Sequence, residues 1–568
     1  MVLNGLLDLL LERWEALRER PFSQLTAHFF HGFFSSDMTA DNDNSLSVGA
    51  IFALLAVPGL LMPLFLFDKY STLMLYLRHQ PRFDVFLAAI PDRFVFVNFS
   101  IVVTGIATVL KWDSLFPDRR DFANLAVLPI PLRRLLYAKV LALGFLIAVF
   151  AADINIASTF VFPFIVVVGL PDANTPLYLR MVMSHGVSVV LASLFTFLFF
   201  LSVAGMLMSV LPWRWFQRVS RYVRVVAIAA LLSGFLSSFA VSSQLNSFGA
   251  GSFLGWLPPV WFTGLGQVLM GHGGNPPLLA LGRAAWQGTA LAFAIAAICY
   301  VASYRRYFLR IPETLDVPAR LKRRSGARIA SLAARALARN PFDRACVQFT
   351  LWTLLRSEKH SLFLGAYLGL GITLAVETPA SAPLFLAFFL LTGLRVVFDL
   401  PAELRANWVF QSAGGEGGAR GTARRVMLFF TLGPLALLVL PHSLWHLGWA
   451  RGLTHTAFLA LLYLFFTDVL LVSFHKIPFT CAHLPGRRNP AIGFASFLAA
   501  FFVFISLASE LDRWILAQPW RLLAVALFGI VVWRTVKPHL EGIGGNRDAV
   551  IFEEEREPAV RTLGIAGV

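Results

Sequence analysis

The residues of this chain best suited to chemistry at an interface lie in the run FPDRRDFANLAVLPIPLRRLLYAKV (116–140). Asp118, Arg119, Arg120 and Asp121 place acids and bases side by side, able to pair with complementary charges across a wet contact. Charges at such rims set register and specificity more than raw affinity. Pro117, Pro129 and Pro131 flank them and limit backbone freedom, because the pyrrolidine ring fixes φ. Arg133, Arg134 and Lys139 follow directly. The pattern is that of a rigid, charged docking element. The plain alternative, a solvated loop whose arginines only set topology, stays open.

Other groups with chemical potential are sparser. His442 and His446, at i and i+4, share a helix face, but no third ligand is near in sequence, and His28 and His31 fare no better. No metal, catalytic or cofactor site is expected on this chain. Cys299, Cys346 and Cys481 are too widely spaced for a disulfide framework or a zinc cluster and read as small packing residues. Among acids at or near membrane depth, Glu377 and Asp399 fall at span ends. That leaves Asp153, with Asn155 beside it, and Asp468 as possible pathway residues, since an intramembrane ionisable group is a functional candidate by default. No Walker-type Gly-x-x-x-x-Gly-Lys-Ser/Thr motif occurs. The glycine-rich run 414–421 has no lysine, follows no strand and reads as a flexible loop.

The elements that must position these groups are set by composition. Of 568 residues, 57% are hydrophobic and only 14% charged, against about 25% charged in an ordinary globular domain. The net charge of +16 sits between apolar runs and points to an anionic membrane surface rather than to nucleic acid. No basic stripe is interleaved with stacking aromatics, so no nucleic-acid partner is expected. A bilayer core takes roughly 20 apolar residues per helix. On that ruler spans are expected near 48–67, 94–110, 135–169, 184–211, 225–243 and 284–303. A second set follows near 361–378, 383–399, 426–441, 454–474, 491–508 and 517–535. The fold class is therefore an all-α polytopic membrane protein of about twelve transmembrane helices, in two six-helix halves.

Basic residues decide the topology. If the run 135–169 crosses once, Lys111, Arg119, Arg120, Arg133, Arg134 and Lys139 share a side with Arg214, Arg218, Arg221 and Arg224. The crowded stretch 304–360 joins them, as do Arg405, Arg420, Arg424, Arg425, Lys476, Arg487 and Arg488. The opposite loops hold little beyond Arg180, Arg283, Arg451 and Arg513. Lys and Arg in short loops stay cytoplasmic, which places both termini inside. A hairpin at 135–169 would expel Arg214 to Arg224 and is rejected. One loop, 68–93, disobeys with Lys69, Arg78, Arg82 and Arg93, and is expected as a small external element.

The resulting domain plan is as follows. Residues 1–34 form a cytoplasmic amphipathic helix in place of a cleavable signal, with Leu3, Leu6, Leu7, Leu10, Trp14 and Leu17 on one face of 2–20. Residues 48–303 form the first six-span half. Residues 304–360 are a basic cytoplasmic linker with amphipathic helices at 327–339 and 343–358. Residues 361–535 form the second half, and 536–568 a cytoplasmic tail. Trp213, Trp215, Trp256, Trp261, Trp445, Trp449 and Trp533 fall near span ends, as an aromatic belt does.

The architecture appears twice. Each half opens on an amphipathic helix, and each has a charged, proline-containing loop after its second span. The second of these loops is FDLPAELRANWVFQ (398–411), with Pro401, Glu403 and Arg405. Two parallel six-helix halves are a common transporter plan. The run Leu128-Pro129-Ile130-Pro131-Leu132-Arg133-Arg134-Leu135-Leu136-Tyr137-Ala138-Lys139 resembles the end of the cytoplasmic helix after the second span in the membrane subunit of ABC-2-type exporters. The sharp match covers about a dozen residues. The second-half loop departs from it, since Leu400-Pro401-Ala402-Glu403-Leu404-Arg405 lacks the Arg-Arg and Lys ending.

The resemblance implies six spans per half and a re-entrant element before the sixth, where GWLPPVWF (255–262) stands here. It implies a permease subunit in the bacterial inner membrane, driven by separate ABC ATPase subunits that consume ATP while this chain binds none. The charged segment 116–140, together with Pro401, Glu403 and Arg405, would couple to that ATPase. The halves would enclose one pathway, or the chain would pair with a second copy. Scarcity of charge at the midplane favours an amphiphilic or hydrophobic cargo. Two other classes remain in view. A lipid-linked glycosyl or acyl transferase would need acids, histidines or arginines clustered at one membrane face. An assembly factor would dock an ATPase without transport.

Overall fold

The computed structural model describes residues 21–34, 59–77, 84–116, 130–168, 170, 172–242, 253–272, 274–308, 324–402, 407–412, 419–472, 474, 476–480 and 490–543. Among them there is no strand. Nine helices among the described residues are long and apolar enough to cross a membrane. They coincide with nine of the apolar runs named above, from 94–110 to 454–474. The runs 491–508 and 517–535 are helical as Pro490–Ala517 and Arg521–Ile543. Most of 48–67 lies outside the described residues. The chain divides into two compact units, Met1–Pro318 and Ala319–Val568.

The first unit holds α1 (Pro21–Phe34), α2 (Phe67–Leu77), α3 (Ile90–Leu110), α4 (Leu132–Val167), α5 (Thr175–Val210), α6 (Trp213–Ser242), α7 (Pro258–Gln267) and α8 (Pro276–Phe308). The run 135–169 is one helix, α4, which turns at no point despite Pro163 near its end. At 36 residues each, α4 and α5 reach about 54 Å at 1.5 Å per residue. A hydrocarbon core is about 30 Å thick, so both run well beyond it. Local signals set their starts. Asn174 accepts a hydrogen bond from the Leu177 amide at 2.8 Å and caps α5. Pro131, in extended backbone, ends the preceding segment and begins α4.

Burial ranks these helices. Of the most apolar stretch of α3, 78% is buried, against 11% for α6. Hence α3 is the axis of the unit and α6 its exposed edge. Phe96, Val97 and Ile101 of α3 pack with Phe162 and Val166 of α4, Val189 of α5 and Phe262 of α7. The ten-residue α7 is about 15 Å long and too short to cross. It begins at Pro258, inside the apolar, proline-broken stretch 255–262, and ends in a π turn, Val268–His272, where Gly271 takes φ 112°. A side chain at Gly271 would be strained in that backbone.

The second unit holds α9 (Arg324–Leu337), α10 (Pro341–Arg356), α11 (Glu358–Glu377), α12 (Ala382–Val397), α13 (Ala419–Pro434), α14 (Leu440–Leu447), α15 (Trp449–Leu470), α16 (Pro490–Ala517) and α17 (Arg521–Ile543). Asn340 caps α10 by accepting from the Phe342 amide at 3.2 Å, with Pro341 at the first helical position. Ala330, Ala334 and Ala338, together with Val347, Leu351 and Leu354, pack against Leu394, Val397 and Phe398. The two helices of the basic linker are thus part of this unit's core. A π turn, Leu435–Val439, follows Pro434 and joins α13 to α14. Insertions of this kind re-satisfy backbone around an interior proline.

Candidate functional site

The described part of the segment 116–140 is its two ends. Upstream, Trp112, Leu115 and Phe116 are buried. The Tyr300 hydroxyl of α8 donates to the Leu115 carbonyl at 3.1 Å, and its ring lies 5.3 Å from that of Phe116. The Arg224 guanidinium of α6 lies over Trp112 at 5.9 Å. Downstream, α4 starts after Pro131 with Arg133 and Arg134 exposed and Lys139 only 5% exposed. The Lys139 ammonium sits 4.7 Å from the Phe29 ring centre and 5.2 Å from that of Phe33, both on α1. Phe29 and Phe33 are themselves buried. At 100° per residue the two arginines stand roughly 120–140° round α4 from Lys139. Lys139 therefore fastens α1 to the foot of α4, while Arg133 and Arg134 face solvent. Pro117, Asp118, Arg119, Arg120, Asp121 and Pro129 lie outside the described residues.

The second-half loop is knitted into its surroundings. The Phe479 amide donates to the Phe398 carbonyl at 3.1 Å, and the Ala402 amide to the Phe479 carbonyl at 3.0 Å. Asn407 donates through Nδ2 to the Thr480 carbonyl at 2.7 Å, and His360 Nε2 meets the Leu400 carbonyl at 3.0 Å. Asp399 pairs with Arg395 one turn earlier and with Lys476 at 2.8 Å. Phe479 adopts φ 71°, rare for a bulky residue. Its ring lies 4.6 Å from His360 and 5.6 Å from Phe398, contacts that hold it there. Pro401 is half-buried at the rim of this knot, and Glu403 and Arg405 lie outside the described residues.

The two pathway candidates separate. Asp468 on α15 accepts from Arg424 on α13, Nε at 2.6 Å and Nη2 at 3.2 Å. The neighbouring Arg425 pairs with Asp343 at 2.7 Å. Asp153 on α4 is half-buried, and its Oδ2 has no hydrogen-bond partner among the described residues. Asn155 is the more integrated group. Its Nδ2 donates to the Ala151 carbonyl at 2.8 Å and to Ser193 Oγ at 3.2 Å, and Ser193 lies 2.6 Å from Ser100 Oγ.

Two residues that pattern reading passes over stand out. Arg93, one of the basic residues of the disobedient loop, is the fourth residue of α3 and wholly buried. His185 of α5 is wholly buried as well. Lys69 of the same loop is neutralised by Asp92 at 2.7 Å, so neither cation behaves as a free topogenic charge. Arg78 and Arg82 lie outside the described residues. The rings of His442 and His446 are 4.3 Å apart. Among the described residues, no group of three His, Cys, Asp or Glu is placed to hold a metal ion.

Fold and site together define a polytopic, all-helical membrane protein. Compared with protein-family models, curated proteins and solved structures, the chain finds no match.

Proposed function

We propose that the chain is the permease subunit of an ABC-2-type exporter of the bacterial inner membrane, with twelve spans in two six-helix halves and both termini cytoplasmic. Separate ATPase subunits supply the hydrolysis, and the segment 116–140 is the main contact through which their motion reaches the spans. One observation carries this reading: both ends of that segment are anchored to membrane helices. Its start is fixed to α6 and α8 through Trp112, Leu115 and Phe116. Its end is fixed to α1 and α4 through Lys139. An element so held passes a push to several helices as a rigid body, whereas a loop tethered at one end would absorb it.

Mechanically, α4 acts as the lever. It starts at Pro131, with exposed Arg133 and Arg134 at its foot, and runs about 54 Å without a break. Asp118, Arg119, Arg120 and Asp121 give the contact its register. The second-half loop at Pro401, Glu403 and Arg405 is a weaker counterpart, so the ATPase subunits meet unequal surfaces. The cargo is an amphiphilic or hydrophobic molecule, in keeping with the scarcity of charged residues within the apolar runs. The test is purification of the tagged chain from its native membrane with assay of ATP hydrolysis. The expected result is recovery of a Walker-type ATPase whose turnover rises with amphiphilic cargo. A chain that brings down no nucleotide-hydrolysing subunit contradicts the proposal. One that brings down an ATPase but moves no cargo in vesicles supports an assembly factor instead.

A further inference from the structure

Arg93 is wholly buried, and among the described residues none of its three guanidinium nitrogens has a hydrogen-bond partner. The adjacent carboxylate does not serve it, because Asp92 takes Lys69 at 2.7 Å and the Tyr70 hydroxyl at 2.6 Å. An uncompensated buried cation costs several kcal/mol, so a group this isolated is retained for something outside the described polypeptide.

Its surroundings are polar and equally unsatisfied. Both ring nitrogens of His185 are buried without partners among the described residues, and the ring is walled by Phe96 at 5.5 Å and Phe162 at 5.0 Å. Gln267 donates through Nε2 to the Phe86 carbonyl at 2.8 Å, while its Oε1 is unpaired. The backbone of α7 covers the guanidinium at Gly266. A Cβ there would stand 2.4 Å from Arg93 Nη1 and 2.7 Å from Ser188 Oγ. The Ser184 hydroxyl fastens this cover by donating to the Gly266 carbonyl at 2.6 Å.

We propose that Arg93 and His185 form a binding site for one oxyanion, free phosphate or the phosphate of an anionic lipid head group, enclosed between α3, α5 and α7. Three features select that ligand. The guanidinium fork matches two oxygens of a carboxylate or phosphate. His185 adds a ring N–H that has no partner among the described residues, whereas the Ser188 hydroxyl is already spent on the Ser184 carbonyl at 2.7 Å. Arg93 lies about 5 Å from the start of α3, which is head-group depth rather than midplane. Entry requires α7 to lift. Its far end turns at Gly271 and is held by Arg180 Nε donating to the Leu269 carbonyl at 3.2 Å and by Asp84 against His272 at 2.8 Å. The site stands independently of the export reading.

The test uses the full chain in nanodiscs, with inorganic phosphate or short-chain phosphatidylglycerol as probe and phosphatidylcholine as control. For the wild type, a probe raises the unfolding temperature and binds saturably. A response to phosphate alone identifies a free oxyanion as the source, and a response to phosphatidylglycerol only identifies a lipid head group. Arg93→Met abolishes the shift, lowers affinity at least 10-fold, and without probe unfolds no earlier than wild type, because the lone cation is gone. Arg93→Lys keeps the charge, loses the fork and also binds at least 10-fold more weakly, which covers the case in which the Met variant does not fold. A wild type that responds to neither probe overturns the proposal, as does an Arg93→Lys protein with unchanged affinity.

Discussion

Lys139 sets its ammonium 4.7 Å from the centre of the Phe29 ring, which joins α1 and the foot of α4 into one packed body. A cation over an aromatic face is worth about 0.5–2 kcal/mol, and burying a phenylalanine side chain roughly 1.5–3 kcal/mol. The aromatic burial therefore dominates the contact, and the cation fixes its register. Phe29→Ala is expected to weaken the docking of α1 by about 3 kcal/mol, which is roughly a 100-fold rise in amide exchange across 21–34. Hydrogen exchange read by mass spectrometry checks this, with α3 and α5 unchanged as the control.

Two ion pairs of the second unit should differ sharply in importance. Asp399 neutralises Arg395 and Lys476, whose side chains are 13% and 7% exposed. Asp399→Asn leaves the buried Lys476 and the half-buried Arg395 facing a neutral amide and is expected to cost about 3 kcal/mol. Arg424, 42% exposed, pairs with Asp468 near solvent, and Arg424→Gln is expected to cost under about 1 kcal/mol. Thermal unfolding of the two variants side by side gives the ranking.

The corner between α14 and α15 depends on Gly452. A Cβ at that position would stand 2.7 Å from the Ser443 carbonyl oxygen and 2.8 Å from the Leu444 amide nitrogen. Both are backbone atoms that cannot swing aside. Gly452→Ala is expected to destabilise by about 1–3 kcal/mol, seen as a lower unfolding temperature. Gly529→Ala, inside α17 where nothing lies within 4 Å, serves as the comparison and is expected to be at least as stable as wild type.

Burial, and then the Asp343 carboxylate, push the Cys346 thiol up to about 12 from its ordinary 9.0. Below the ordinary value the thiol is neutral in folded and unfolded chains alike, and its contribution to stability is constant. Between there and about 12 the unfolded chain ionises first, so stability falls with rising pH by about 1.4 kcal/mol per unit. In a chain with Cys299→Ser and Cys481→Ser, Cys346 is expected to resist maleimide at pH 8 and to react once denaturant exposes it. A Cys346→Ala chain should lose this component of the alkaline decline.

Apolar run length alone shows most of the helices, because a bilayer demands a nearly uninterrupted stretch of side chains that few other settings require. Asn340-Pro341 marks the break between α9 and α10 for an equally local reason, a cap followed by a residue that cannot donate. Arg93 escapes the same reading. Lys and Arg counted in loops speak of topology, and nothing local reveals that Asp92 is held by Lys69 and Tyr70, more than 20 positions earlier. Asp468 is hidden in the same way, since its partner Arg424 lies 44 residues off. The amphipathic pattern at 2–20 falls outside the described residues. The adjacent α1, with Phe29 and Phe33 at i and i+4, is the helix seen packed on α4. The quartet 118–121 likewise lies outside them, so its role rests on sequence and on the anchoring of its flanks.

Under the proposed function, the segment 116–140 passes the motion of a separate ATPase to the spans. The direct measurement is ATP hydrolysis and cargo export by reconstituted complexes carrying Arg119→Glu and Arg120→Glu together. The expected result is normal membrane insertion, unchanged unfolding temperature, and loss of at least 10-fold in ATPase recovery or in export per ATP hydrolysed. Full recovery of the ATPase with undiminished export in the double variant would contradict it.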